Sequence, residues 1–184
     1  MTSSVQRSHH QFTAVKCREV WESKPVLQEI YSDLYRRIIR ACRAVKIVEV
    51  GGGSQILKQF SPDVLSFGIV PLSWLDCIAK PSAYLLRSYS TGNLVLFDDL
   101  HHIEIPARFL ANLLGVLLPG DRIIFVELAI TPLSWQFYFF FHHEPVVMSA
   151  DPLVGKAPDP EEDSFLSNQA IPTLLVTQSH AAYC

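Results

Sequence analysis

The sequence predicts an α/β fold: a doubly wound, mostly parallel sheet with an N-terminal helical segment and an incomplete C-terminal hairpin. Three observations carry this expectation. Short β-branched runs alternate with amphipathic stretches of helical period, the pattern of strand–helix–strand units. The run Ile47-Val48-Glu49-Val50 breaks into Gly51-Gly52-Gly53, a strand turning sharply with its backbone left bare. Leu94-Val95-Leu96-Phe97 stops at Asp98-Asp99, the mark of a buried strand's carboxyl end.

The elements follow in order. Residues 1–11 are polar and read as a loose leader, within a leader or lid over residues 1–25. Across residues 26–45, Leu27, Ile30, Tyr31, Leu34, Ile38 and Cys42 recur at three- and four-residue steps, which predicts an amphipathic helix. Arg36, Arg37, Arg40 and Arg43 crowd its C-terminal half, where they suit the helix dipole or an anion. Strand one is Ile47–Val50, followed by a short helix over Ser54–Phe60. Strand two is Val64–Val70. Leu72–Ile78 reads as a helical turn and Ala83–Leu86 as a third strand or loop. Leu94–Phe97 is strand four, Ala107–Leu117 a helix, and Leu118-Pro119-Gly120-Asp121 the turn closing it. Arg122–Leu128 is strand five. Thr131-Pro132 supplies an N-cap and a proline at the first helical position, opening a helix to Phe141. Residues 46–150 thus form the sheet core of a single domain, and 151–184 a loop-rich tail in which only Thr173–Thr177 resembles a strand.

Bulk properties narrow the classes of function. A length of 184 residues suits one domain, and 49% hydrophobic against 18% charged residues marks a globular chain. The net charge of −3 argues against a nucleic-acid binder. Cys17, Cys42, Cys77 and Cys184 form no close pair and read as reduced thiols. The first ten residues hold no apolar core of a secretory signal, and no apolar stretch reaches the ~18 residues a membrane span needs. The expectation is a soluble, cytoplasmic protein.

A glycine turn after the first strand lets a ligand approach the backbone. Nicotinamide and flavin dinucleotides prefer G-x-G-x-x-G and an acid ending strand two. Gly51 and Gly53 meet the first two positions, but the third is Ile56, and strand two carries Gly68 where the acid would stand. The remaining class is a charged nucleoside without a pyrophosphate. Three runs now bear on it: Val48-Glu49-Val50-Gly51-Gly52-Gly53-Ser54, Phe97-Asp98-Asp99-Leu100-His101-His102-Ile103, and Leu117-Leu118-Pro119-Gly120-Asp121-Arg122-Ile123-Ile124-Phe125-Val126-Glu127. In this order and spacing, over residues 20–150, the chain resembles the class I S-adenosylmethionine-dependent methyltransferases, in particular their type 11-like members.

The resemblance implies a Rossmann-like methyltransferase fold and S-adenosylmethionine as cofactor. Glu49, Gly51, Gly52, Gly53 and Ser54 would line its methionine and ribose end, Phe97, Asp98 and Asp99 its methionyl portion, and Ile69 its adenine face. Departures accompany it. Gly68 replaces the ribose-binding acid, Lys80 replaces the adenine-pocket acid, Gln55 replaces a glycine, and one strand of the final hairpin is missing, as if the chain were shortened.

Methyl transfer is an in-line displacement, so positioning supplies most of the catalysis and no acid, base or metal is obligatory. His101 or His102 would take a proton from the acceptor, unless His102 only packs or caps the next helix. Trp135 and Tyr138, in an aromatic helix, would line a pocket for an apolar acceptor, unless that helix is core on one face and covered by a partner on the other. Glu49 would otherwise cap the glycine turn. His9-His10 and His142-His143-Glu144 diverge by about 100° per residue on a helix and are not expected to chelate a metal. The function expected is S-adenosylmethionine-dependent methylation of a small molecule. The alternative is a catalytically impaired methyltransferase-fold protein serving as partner or scaffold. An unpaired sheet edge leads to a further expectation, a homodimer or a heteromeric partner.

Overall fold

The structure is a computed structural model and describes residues 3–68, 71–78, 92–103, 105–141, 146–153 and 168–181. Helix α1 spans Ser3–Ser23 and α2 spans Pro25–Ala41, with proline in its first turn. The strands are β1 (Ile47–Val50), β2 (Val64–Gly68), β3 (Cys77–Ile78), β4 (Asn93–Phe97) and β5 (Arg122–Val126). Helices α3 (Pro106–Leu114), α4 (Pro132–Phe141) and α5 (Ile171–Ala181) complete the elements. The strands form one all-parallel sheet in the order β3-β2-β1-β4-β5. Ile47 pairs with Val64 on one side and Asn93 on the other, and Val50 with Phe67 and Leu96. Val48, Val64, Leu94, Val95 and Leu96 are almost wholly buried, as near-continuous apolar runs in a parallel sheet require.

The chain divides into two compact units. The first comprises Met1–Phe97 and Leu117–Ile124, the second Asp98–Val116 and Phe125–Cys184. In the first, Asn93 is fully buried where β4 begins. Its Oδ1 accepts from Arg43 N–H at 2.7 Å, and its Nδ2 donates to the carbonyls of Arg43, Val45 and Lys46. The arginine cluster has a structural account at two positions. Arg37 pairs with Asp33, and Arg43 donates to Gly120 O at 2.7 Å across the turn where Gly120 holds a φ of +93°.

Several expectations are corrected. The loose leader of residues 1–11 is helical from Ser3, because α1 has one face to bury. Ala14, Arg18 and Trp21 stand at i, i+4 and i+7 and reach Gly53, Trp74 and Tyr35 respectively. The helix expected over Ser54–Phe60 is a single 3-10 turn, Leu57–Gln59. Gln55 at a φ of +55° breaks the path, and only residues 51–63 separate β1 from β2. In Leu72–Ile78 one turn closes from Leu75 N–H to Leu72 O, and Cys77–Ile78 is a strand. Ala83–Leu86 lies outside the described residues. Thr173–Thr177 is helical within α5, so the expected hairpin strand is not there. Asn168 starts that helix: its Oδ1 accepts from Ala170 N–H and its carbonyl from Ile171 N–H, with Pro172 in the first turn.

Candidate functional site

The glycine turn belongs to the first unit, at the carboxyl end of β1. Gly51 is exposed and holds a φ of +77°, a conformation that favours glycine. The next two amides are used internally: Gly52 N–H donates to Phe67 O at 3.1 Å and Gly53 N–H to Gly51 O at 2.6 Å. Glu49 is buried beneath the turn, accepting from Ser66 Oγ at 2.8 Å, and its carboxylate fills the space where a side chain on Gly52 would stand. Trp74 Nε1 donates to Gly53 O at 2.9 Å, and the Arg18 guanidinium lies 5.2 Å from the centre of the Trp74 ring.

Beside this turn the first unit holds an aromatic stack. The Tyr35 ring is stacked on both Phe60 and Phe97 with centroids 5.2 Å apart, and Trp21 meets Tyr35 edge-on. Burial first, then the Glu49 charge, pushes the Tyr35 hydroxyl well above the ordinary range, so it stays neutral. Phe97 therefore serves this stack. On β2, a side chain at Gly68 would meet the end of the Leu75 side chain at 2.6 Å, so Leu75 fills the space beside that glycine. Ile69 and Lys80 lie outside the described residues.

The second unit gathers a different group. Asp98 follows β4 and Glu127 follows β5, and Asp98 N–H donates to Val126 O at 2.7 Å. Glu127 Oε1 accepts from the backbone N–H groups of Asp99 (3.0 Å) and Leu100 (2.7 Å). Its Oε2 lies 3.2 Å from His101 Nδ1, which is also 3.7 Å from Asp98 Oδ1. On the other side of the ring, Nε2 lies 3.1 Å from Gln169 Nε2. The two ring nitrogens take complementary roles: an amide donating to Nε2 goes with a proton on Nδ1 facing Glu127, and an amide oxygen there goes with a proton on Nε2. Burial, then the neighbouring Glu127 charge, raises Asp99 to about 6, with Asp98 adding and His101 opposing.

The expected residues thus fall into two sets. Glu49, Gly51, Gly52, Gly53, Ser54 and Phe97 belong to the first unit, and Asp98, Asp99, His101 and His102 to the second. His101 is buried, while His102 is partly exposed with its ring 4.2 Å from that of His101. Trp135 and Tyr138 share α4, but Trp135 stacks on Phe139 and is exposed whereas Tyr138 is buried, so they do not line one face. Thr131 caps that helix as expected, accepting from Ser134 N–H at 3.1 Å. Glu127 and Gln169 were not expected as site residues. Glu127 carried the same signal as Asp98, an acid ending an apolar run; Gln169 carried none, standing 68 residues from His101.

Compared with protein-family models, with curated proteins and with solved structures, the chain matches none. Among the described residues, no helix is long and apolar enough to cross a membrane.

Proposed function

We propose that the chain is an S-adenosylmethionine-dependent methyltransferase acting on a small-molecule acceptor. One observation carries the reading: the bare Gly51 turn sits where the strand order reverses. From β1 the chain moves outward to β2 and β3, then crosses back to place β4 on the other side of β1. In open parallel sheets the carboxyl ends at such a reversal are where nucleotide-like ligands bind. S-adenosylmethionine supplies an activated methyl group when bound. The residues present fit its amino-acid end in part: Gly51 leaves the backbone approachable, while Glu49 supports the turn from beneath, its carboxylate held by Ser66 Oγ. At the ribose they offer less, since Gly68 and Leu75 replace a charged acceptor.

A second reading, a catalytically impaired partner or scaffold, is favoured by the internal use of the Gly52 and Gly53 amides and by the missing acid. A charged hydrogen bond to a ribose hydroxyl contributes about 1.5–3 kcal/mol, so its loss costs at least tenfold in affinity. Calorimetric titration with S-adenosylhomocysteine separates the two. Micromolar binding supports the enzyme, and no heat at millimolar ligand leaves the scaffold. Either reading includes self-association through α4, where Leu133, Phe137, Phe139, Phe140 and Phe141 are exposed.

A further inference from the structure

We propose that Asp98, His101 and Glu127 are the ligands of a divalent transition-metal ion in the second unit. Their donor atoms, Asp98 Oδ1, His101 Nδ1 and Glu127 Oε2, all lie within 4.8 Å of one another. The two nitrogen-to-oxygen separations, 3.2 and 3.7 Å, bracket the spacing of ligands on one ion. For bonds of about 2.0–2.1 Å, tetrahedral donors stand about 3.4 Å apart. Closing round a cation draws the two carboxylate oxygens, within 4.8 Å of each other, toward that spacing, which the exposed Asp98 side chain can supply.

Each buried ligand is held from behind, as metal ligands are. Glu127 Oε1 is fixed by the Asp99 and Leu100 amides, which leaves Oε2 to face the ion. The far nitrogen of His101 meets the Gln169 amide. Coordination requires a lone pair on Nδ1, so the imidazole proton moves to Nε2, and Gln169 turns its amide oxygen to accept it. No net proton is lost from a neutral ring in that exchange. Asp98 completes the set from the solvent side: its side chain is 44% exposed, which gives an ion a way in. It is also one of two non-glycine residues described with positive φ, at +53°. Such backbone is held in place by its surroundings and recurs at ligand clamps.

The charges point the same way. Two carboxylates, Asp98 and Glu127, face one imidazole nitrogen, an excess of negative charge that a cation neutralises. One nitrogen and two oxygens, with no thiolate, suit Mn(II), Fe(II), Co(II) or Zn(II) rather than Cu(I). Three protein ligands leave positions for water or a substrate oxygen. The proposal does not depend on the adenosyl-donor reading, and the two titrations report on them separately.

The test is titration of the full chain, purified without a polyhistidine tag and dialysed against a chelator, with Mn(II) by calorimetry and Co(II) by visible absorption. We expect one ion per chain at micromolar affinity. The Asp98→Asn variant, which leaves the buried Glu127–His101–Gln169 contacts intact, puts a neutral amide oxygen in place of a carboxylate and should bind at least about tenfold more weakly, with an altered Co(II) band. Circular dichroism checks that the variant is folded. No saturable binding at millimolar metal overturns the proposal. Binding that Asp98→Asn leaves unchanged also overturns it, because the ion then sits on other groups.

Discussion

At Gly52 a single methyl group decides whether the turn fits. A Cβ there would collide with the carboxylate of Glu49, which burial and the Ser66 hydroxyl hold in place. We predict that Gly52→Ala destabilises the chain by about 1–3 kcal/mol, the range for overpacking a well-filled site. Adding Glu49→Ala should recover much of that loss, because the clash then has no partner. Chemical denaturation of the two single variants and the double variant measures the coupling, and purely additive effects would contradict the packing described. The sequence announced this residue: three glycines after a β-branched run have few other uses. Asn93, Glu127 and Gln169 were harder to see. Their roles come from partners 26 to 68 residues away, and no local pattern of hydrophobicity carries that information.

Among the elements, β3 shows how a two-residue strand is kept in the sheet. Asp76, just before it, accepts from Ser66 N–H at 2.9 Å and from Lys58 Nζ at 2.6 and 2.7 Å, tying the 3-10 turn to β2. Burial alone would raise its carboxyl, but the Lys58 and Ser66 hydrogen bonds outweigh it and hold Asp76 below the usual aspartate range. An acid with a lowered folded pKa stabilises the fold above its unfolded value, and that stability is lost as pH falls toward the folded one. Asp76→Asn should therefore cost about 1 kcal/mol at pH 7, allowing for partial exposure, and much less near pH 3. Thermal unfolding at the two pH values checks this; an equal cost at both would exclude the charged interaction.

Where a local signal was strong, the period of α2, the apolar run of β4 or the Thr131-Pro132 start of α4, the elements lie within a few residues of expectation. Thr173–Thr177 misled because β-branched residues favour strands. The Asn168 and Pro172 start signals prevailed instead, and Thr177 Oγ1 is accommodated by donating to Thr173 O at 2.9 Å. Residues 3–23 misled in the other direction. Their apolar face is thin and becomes useful only once Gly53, Trp74 and Tyr35 are there to receive it.

For the whole molecule, the α/β class and parallel sheet were legible from alternating elements, whereas the strand order is a property of the assembled chain. The exposed rings of α4 also act at this scale. Phe140 and Phe141 are 70% and 79% exposed, an apolar surface that a single copy leaves in water. We predict a concentration-dependent species heavier than the monomer in sedimentation equilibrium, lost in the Phe140→Lys/Phe141→Lys variant. A clean monomer at high concentration would contradict this.

The central claim is that the turn beginning at Gly51 receives an adenosyl donor. Hydrogen–deuterium exchange with and without S-adenosylhomocysteine tests it most directly, because it reports where a ligand sits. We predict slower exchange in the peptides covering residues 49–57. Unchanged exchange there at saturating ligand, with or without protection elsewhere, would contradict the claim.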